Sequence, residues 1–575
     1  MREKRDIARR DLFAGAAAAA IGAVGTQSQA TAQTLPWDLE ADIVCVGSGA
    51  AASSAAVSAV DRGATVIMLE KQPATGGTTR KSSGVIWVPN NFLLRARGVK
   101  DKRSDCLKYM ARMSYPQNYV PDSPTLGLSE REYKLLAAYY DNCSHVIDRL
   151  RELKIAEFQE FKLFSINEPA PDYGEHLSEN KVPTGRGIAM SEGATDFNMG
   201  GSSLLNAVEA WLKKRGVDIR TGHRVTAVIK EGGCAAGVVA ETNGKMLRIK
   251  ARKGVIFGTG GYAQSAELVA RHQIALYGAC ARTGSTGDFI GIAGEAGAAM
   301  GALHTAWRTQ VLVEEALQNR ALGVGAFFLP GDSMLVVNKY GRRCVNEKRG
   351  YNERTHAHFY FDPTREEYTN HLMFMVFDDR VMGMLGGNYP FPEDRRDTRF
   401  LAQGDTLEEL SASIAKRLAG ISEEVGGVML DPSFPAALKD QVDRFNGYAS
   451  TGRDLEFERG LHLYDRQWHR LFSRARPSTK YPDNPMPNVT MHPLAPRGPY
   501  FAYILAAGAV DTNSGPLINE NAQVLAPSGQ PIPGLYGAGN CIACPTREAY
   551  VAGGITIGLA MTYGHIAAVN ALKGS

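Results

Sequence analysis

Short apolar runs stopped by glycine clusters occur at both ends of the chain, and the middle is more mixed. Asp42-Ile-Val-Cys-Val46 is an apolar run that stops at Gly47-Ser-Gly49, and residues 53–60 continue in a small-residue helical pattern. A second apolar run, 64–69, ends in Glu70. The order predicted is strand, glycine turn, helix, strand, acidic residue. Residues 217–229 and 246–257 read as further strands, the latter leading into Gly258-Thr-Gly260-Gly261. Near the C-terminus, Gly534-Leu-Tyr-Gly537-Ala-Gly539-Asn540 precedes a helical pattern over 556–568. Residues 306–496 are richer in aromatic, proline and charged residues, and no internal repeat is present.

The first of these patterns is the arrangement a dinucleotide needs. Gly47 permits the tight turn, Gly49 lets a pyrophosphate approach backbone, and Ala52 in the third glycine position still allows close helix packing. The helix N-terminus turns its partial positive charge to the phosphates. Glu70, 23 residues after Gly47, is placed to accept from ribose hydroxyls and to repel a 2′-phosphate. The three glycine sites serve one nucleotide only if both ends of the chain build one domain. The expected fold is therefore α/β: a Rossmann-like domain from 33–305 and 497–575, with an inserted α+β catalytic domain over 306–496.

Composition narrows the function. With 575 residues, 44% hydrophobic and 22% charged, the chain has a globular balance and enough length for two large domains. Glycine, at 61 residues, exceeds the usual level of about 7%, in clusters without a collagen period. The net charge of +4 is spread along the chain, which gives no footprint for nucleic acid. Residues 1–32 form a separate unit: Arg9-Arg10 precedes an uncharged stretch over 14–24 and then Ala30-Thr31-Ala32, the layout of a twin-arginine export signal. Its removal takes away five basic and three acidic residues and leaves +2. Export implies a periplasmic or cell-envelope location, and an unused leader a cytoplasmic one. No other run is expected to reach the roughly 20 residues of a membrane span, so any membrane contact should be peripheral. Eight cysteines do not make a disulfide scaffold in so long a chain. Cys541-Ile-Ala-Cys544 lacks the second pair a zinc site requires, so no metal is expected; a redox dithiol, a disulfide or a packed turn remain open for it.

Glu70 through Gly76-Gly77-Thr78-Thr79, followed by Ser83-Gly84-Val-Ile-Trp87-Val-Pro89, resembles the flavin-contacting segment of the fumarate reductase and succinate dehydrogenase flavoprotein superfamily. Within it, the stretch from Ser83 to Pro89 is similar to the 3-ketosteroid dehydrogenases. Thr286-Gly-Asp288, Val337-Asn-Lys-Tyr-Gly341 with Asn346-Glu347, and Gly539-Asn540 with Tyr550 through Thr562 agree in order. The resemblance implies FAD as cofactor, contacted by Gly47, Gly49, Ala52, Glu70, Gly76, Gly77, Thr78, Thr79, Gly84, Gly260, Asp288, Gly539, Asn540, Thr556 and Ile557.

The same resemblance separates the branches of chemistry. Val551 stands where fumarate-type reductases carry a carboxylate-gripping Arg, which argues against a small dicarboxylate. The Δ1-dehydrogenases have a Tyr-x-x-x-Gly pair here, and Tyr550 to Gly554 repeats its spacing. A phenol and a backbone N–H on one ketone oxygen stabilise the enolate. Tyr351 matches the family's base, and Tyr173, in Pro171-Asp172-Tyr173, its partner. The implied reaction is loss of a proton to Tyr351 and of a hydride to flavin N5, from an apolar, steroid-like ring ketone. An external quinone or redox protein would reoxidise the flavin. Tyrosine titrates near 10, so a phenolate at neutral pH needs a donor or positive charge beside it. His356, His358 and His492 are weaker candidates for a base.

Arg80-Lys81 follows the glycine-threonine segment where the family has small uncharged residues, and Val510-Asp-Thr-Asn-Ser-Gly515 replaces a more glycine-rich turn; both leave the substrate open. Rival functions are Δ4 dehydrogenation, an enoate reductase of the fumarate or urocanate type, a dithiol oxidoreductase using Cys541 and Cys544, and a flavin redox carrier.

Overall fold

The computed structural model describes residues 36–163, 167–191, 200–394 and 396–574; the expected export leader lies outside them. Strand β1 (Leu39–Val46), helix α1 (Ala50–Val60) and strand β2 (Val66–Leu69) form in the predicted order. β1 is the centre of a sheet: it pairs in parallel with β2 on one side and with Lys245–Phe257 on the other. Asp218–Arg220 extends the sheet beyond β2, and Pro531–Gly537 adds a parallel strand beside Lys245–Phe257 through Val255 and Leu535. β2, the end of β1 and the Gly254–Phe257 end of its neighbour are buried and nearly continuous in apolar residues, as parallel strands covered on both faces require, whereas the edge strand Asp218–Arg220 is half-buried. Both ends of the chain thus build one sheet.

α1 is almost all alanine and serine because another helix touches its backbone. A Cβ at Gly564 would lie 2.2 Å from the Ala51 carbonyl oxygen, and Ser54 Oγ donates to Met561 O at 2.7 Å. The partner is the C-terminal helix Ile555–Lys573. With a mean hydropathy of 1.3 it is long and apolar enough to cross a membrane, against the expectation that no run outside the leader is. Most of it is buried against α1 and the sheet, which accounts for its apolar character.

Two boundaries differ from expectation. The region 217–229 is two strands, Asp218–Arg220 and Arg224–Glu231, separated by a turn with Gly222 at φ +66°. Arg224–Glu231 pairs with Cys234–Thr242, which hairpins into Lys245–Phe257 through Asn243-Gly244, both at positive φ. That Asn-Gly pair is the sequence signal for the turn. The long strand Tyr500–Thr512, expected in the nucleotide domain, is instead the central strand of a second, antiparallel sheet. It pairs with Ala306–Leu312 and Leu372–Asp378, and the latter with Met334–Val337.

A buried charge cluster anchors the loop that leads from this second sheet to Tyr351. Glu347 accepts from Arg343 Nε and Nη2 at 2.9 Å, Arg459 Nη1 at 3.3 Å and Val336 N at 3.1 Å, and Arg343 also pairs with Asp454 at 2.9 Å. Burial pushes the Glu347 carboxyl up, but Arg343 and then Arg459 outweigh it and hold its pKa below the ordinary value. A carboxyl depressed on folding stabilises the fold above its unfolded pKa near 4.3 and ceases to do so as pH falls. Glu347→Gln leaves two guanidinium groups short of charge and should cost about 3–5 kcal/mol in denaturant unfolding at neutral pH. The deficit relative to wild type should shrink below about pH 4; a constant deficit would count against the charge as its origin.

Candidate active site

Two cavities meet at the N-terminus of helix Ile555–Lys573. The first is a cleft of about 1440 Å³, the open solvent at its mouth included, that runs from the β1–α1 turn to this helix. Gly47, at φ +99°, makes its mouth: a Cβ there would lie 2.5 Å from the Gly258 carbonyl oxygen. Gly49 caps α1 with no side chain of its own, Ala50 N donates to Thr79 Oγ1 at 3.1 Å, and Ala50 and Ala51 line the cleft. Glu70 lies in the wall, with Oε2 accepting from Ser48 Oγ at 2.5 Å and Oε1 from Gln72 N at 2.9 Å. A carboxylate has about four acceptor positions, so capacity remains for a ribose.

Gly77, Thr78, Thr79, Gly260, Asp288, Gly539, Asn540, Thr556 and Ile557 also line this cleft. Ala52, Gly76 and Gly84 do not line it. Ala52 packs under the turn, where a Cβ on Gly258 would lie 2.7 Å from Ala52 N. Gly76 N donates to Ser48 Oγ at 2.7 Å. Gly84 seats the helix Gly200–Lys214, and its Cβ would meet Gly200 C at 2.2 Å. The Asp288 carboxylate is engaged by Lys71 at 3.1 Å and Arg224 at 3.0 Å; burial raises its pKa, but these cations bring it below the ordinary value. Asn540 is held between Trp307 Nε1 at 3.1 Å and Asp511 at 3.3 Å. Asp511, part of the Val510–Gly515 stretch that departs from the family but given no role there, is driven to about 6 by burial.

A glycine mouth with no room for Cβ, a helix N-terminus in the cleft wall and an accepting carboxylate at the end of β2 are the groups an adenine dinucleotide requires. FAD fits these residues: α1 would hold the pyrophosphate, Glu70 the ribose, and Thr78, Thr556 and Ile557 the end toward the second cavity.

That second cavity, about 940 Å³ with the open solvent at its mouth included, shares Thr78, Ser82, Val510, Thr556 and Ile557 with the first. Phe161, Phe327, Phe328 and Trp468 make its walls apolar, and Tyr173, Tyr351, Tyr550 and Gly554 line it together. The aromatic walls carried no sequence motif and were not anticipated. Tyr173 O–H donates to the Tyr351 oxygen at 3.3 Å. The Tyr550 ring stacks on Tyr173 at 5.4 Å and meets Tyr351 edge-on at 5.2 Å. Gly554, at φ +95°, starts the C-terminal helix, and a Cβ there would lie 2.7 Å from Val85 C.

Each tyrosine is fixed through its backbone neighbours. Tyr173 N donates to Val551 O at 2.9 Å, and Tyr109 O–H donates to the same oxygen at 2.5 Å. Beneath Tyr173, Asp172 accepts from Arg186 at 2.8 Å and Trp87 Nε1 at 2.8 Å, and Arg186 also pairs with Asp101 at 2.7 Å. Burial lifts Asp172 to about 6 even so. Tyr351 opens the helix Tyr351–His356, in which Asn352 accepts from Arg308 N at 2.9 Å and donates to Glu548 O at 2.9 Å. One asparagine therefore ties the helix of Tyr351 to the second sheet and to the segment of Tyr550. Burial, and then the neighbouring Tyr173 and Tyr550, push the Tyr351 phenol well above 10. Burial also raises Tyr550, against hydrogen bonding with Tyr351 and Thr556.

The other candidates fall outside this cavity. His358, drawn to about 4 by burial, hydrogen-bonds Gln310 at 3.0 Å and His371 O at 3.0 Å. His356 lines a different cavity, and His492 Nδ1 lies 2.8 Å from Pro493 O. Cys541 and Cys544 are free thiols, raised by burial, Cys544 to about 11. The Arg80-Lys81 pair divides: Arg80 turns to Glu209 at 3.2 Å, and Lys81 lines the tyrosine cavity.

Known proteins bear on this geometry. Residues 42–557 match the family described as FAD binding domain. A 4-oxocyclohexanecarboxylate 2-dehydrogenase of Sinomonas cyclohexanicum is 27% identical, across 92% of this chain and 92% of its own length. A 3-oxosteroid 1-dehydrogenase of Mycobacterium tuberculosis is 28% identical, across 92% and 98%. The crystal structure of 3-ketosteroid delta1-dehydrogenase from Sterolibacterium denitrificans, in complex with 1,4-androstadiene-3,17-dione, has the same fold, with a TM-score of 0.74 at 24% identity over 93% of this chain and 99% of that one. Because the family match takes in the nucleotide cleft, the second sheet and all three tyrosines, the chain belongs to the FAD binding domain family and is an FAD-dependent oxidoreductase.

Proposed function

We propose that the protein dehydrogenates a ring carbon–carbon bond next to a ketone, in the manner of the 3-ketosteroid Δ1-dehydrogenases. The observation that carries this reading is the convergence of Tyr173, Tyr351, Tyr550 and Gly554 in one apolar-walled cavity that opens onto the cofactor cleft. The names of the two curated relatives support a cyclic ketone. Bound FAD supplies the hydride acceptor. Tyr550 O–H and the Gly554 N–H polarise the ketone oxygen and favour the enolate. Tyr351 takes the proton from the adjacent carbon. Tyr173 O–H donates to the Tyr351 oxygen at 3.3 Å and so orients the base, while burial and the neighbouring phenols hold its pKa up. Phe161, Phe327, Phe328 and Trp468 exclude water from the ring.

The test is anaerobic mixing of the FAD-loaded protein with 3-ketosteroids and substituted cyclohexanones, following flavin bleaching, with mass and ultraviolet analysis of the product. A product unsaturated at the Δ4 position would replace Δ1 with Δ4 regiochemistry. Reoxidation of reduced flavin by unsaturated carboxylates, with no bleaching by ketones, would favour the enoate reductase instead; the fully buried Val551 speaks against it. With a base held above 10, bleaching should accelerate with pH, by about tenfold per unit below the phenol's pKa. Tyr173→Phe should slow it by about fivefold to tenfold, the worth of one hydrogen bond. A rate that falls with rising pH would exclude a phenolate base.

An external quinone or redox protein reoxidises the flavin in this reading, and Arg9-Arg10 with the leader directs the protein to the periplasm. Retention of an Arg9→Lys/Arg10→Lys variant in the cytoplasm is the corresponding check.

A further inference from the structure

Lys81 is the one residue of the tyrosine cavity's lining with a cationic side chain. It closes the short helix Gly77–Lys81, so the same segment that borders the cofactor cleft delivers an ammonium group to the substrate side. Its Nζ donates to Cys280 O at 2.9 Å and to Leu322 O. An ammonium has three N–H groups, so one donor is left over. No carboxylate pairs with it among the described residues, whereas its neighbour Arg80 has Glu209 and Lys71 has Asp288. The acidic group beside it is the Cys280 thiol, which burial raises to about 12 and so keeps neutral, and Arg282 adds further positive charge. Burial lowers the pKa of Lys81, the expected cost of a cation without a counter-ion in a half-buried site. Lys81 is not part of the cofactor cleft's lining, and α1, where the pyrophosphate would be held, is a separate element.

We infer that Lys81 is a specificity-determining residue that binds a carboxylate on the substrate, so that the preferred substrates are ring ketones carrying an acid group. This rests on the dehydrogenase reading above and adds the chemical class of its substrate. The ketone end meets Tyr550 and Gly554, the ring lies against Phe161, Phe327, Phe328 and Trp468, and the acid end meets Lys81. A lysine acts as a point charge, not a fork, and imposes little orientation on the carboxylate. Val551 supplies no such grip, so this is a single-carboxylate site unlike a dicarboxylate clamp.

The experiment compares a cyclohexanone bearing a carboxylate on the ring carbon opposite the ketone with its neutral carboxamide, in FAD-loaded wild type, Lys81→Met and Lys81→Arg. The readout is the ratio of their second-order rate constants for anaerobic flavin bleaching. Wild type should favour the carboxylate by roughly tenfold to a hundredfold, the worth of a hydrogen bond to a charged group. The ratio should fall to about one in Lys81→Met and recover in part in Lys81→Arg. Taking the ratio within each variant cancels any general loosening of the loops at 280 and 322. A ratio near one in wild type, or one unchanged in Lys81→Met, overturns the inference. So does an equal loss for both ketones accompanied by a shifted flavin midpoint potential, which would make Lys81 a tuner of the cofactor. Failure of both ketones and of 3-ketosteroids to bleach a fully loaded flavin sinks the dehydrogenase reading and the inference together, a result distinct from a ratio of one.

Discussion

Tyr351→Phe is expected to slow flavin bleaching by a ketone at least about 100-fold, the lower end of what a positioned general base contributes. The substitution removes one oxygen and keeps the ring, so the edge-on contacts with Phe327 and Tyr550, at 5.0 and 5.2 Å, should persist. FAD should stay bound, because Tyr351 lines the second cavity and not the cofactor cleft. The loss should therefore fall on the rate of reduction, with little change in the flavin-to-protein ratio. It should also flatten the rise of rate with pH, since the remaining phenols, Tyr173 and Tyr550, already have other positions to hold. A Tyr351→Phe protein that bleaches at the wild-type rate would refute the assignment of the base. A protein that lost its flavin would show the residue to be structural instead.

The second large effect concerns the cofactor. Gly47→Ala should abolish tight FAD binding, with affinity reduced by about 100-fold or more. A non-glycine residue at positive φ costs roughly 1–3 kcal/mol. At φ +99° the new Cβ would also lie 2.5 Å from Gly258 O and 2.9 Å from Gly258 C. Both are backbone atoms next to Lys245–Phe257, a strand that pairs with β1, so no rotamer relieves the collision. Gly63→Ala is the matched control. It has φ +81° but no atom within 4 Å of its Cβ position, so it carries the strain without the collision and should bind FAD as wild type does. Titration of apo-protein with FAD by flavin fluorescence reads both variants. Equal affinity in Gly47→Ala and Gly63→Ala would show that the turn yields and that the glycine cradle is not what holds the cofactor.

Much of the nucleotide domain was legible because its rules are local. An apolar run, a glycine turn and a small-residue helix have to be adjacent for a helix N-terminus to face a phosphate, and all three occur within residues 42–60. The hairpin strand Cys234–Thr242 was missed because its small and polar residues blur the alternation; the Asn243-Gly244 turn was the available signal. Tyr500–Thr512 falls in the second sheet and not in the nucleotide domain's, a difference the sequence could not show because its 13 residues, nearly all buried, have the same apolar character in either. Gly84 stood in a motif with flavin contacts yet serves the packing of a helix 116 residues later, against Gly200. Glycines required for close packing and for ligand approach look alike in a sequence.

By itself, the sequence determined that the chain is an α/β protein, that apolar and glycine patterns at its two ends suit one dinucleotide domain, and that its small net charge of +4 is spread along the chain. These follow from periodicity, spacing and composition, which are properties of neighbours along the chain. Only the tertiary structure decided which tyrosines share a cavity, since Tyr173, Tyr351 and Tyr550 come from segments that meet through Val551 O, Asn352 and the buried Arg186 pairings. It also decided the fates of two adjacent cations. Arg80 and Lys81 are consecutive, but successive side chains on one turn point in different directions. One finds Glu209 and the other faces a cavity without a counter-ion. Which charge is neutralised depends on what the fold brings within a few ångströms, and that distance is not written in the order of residues.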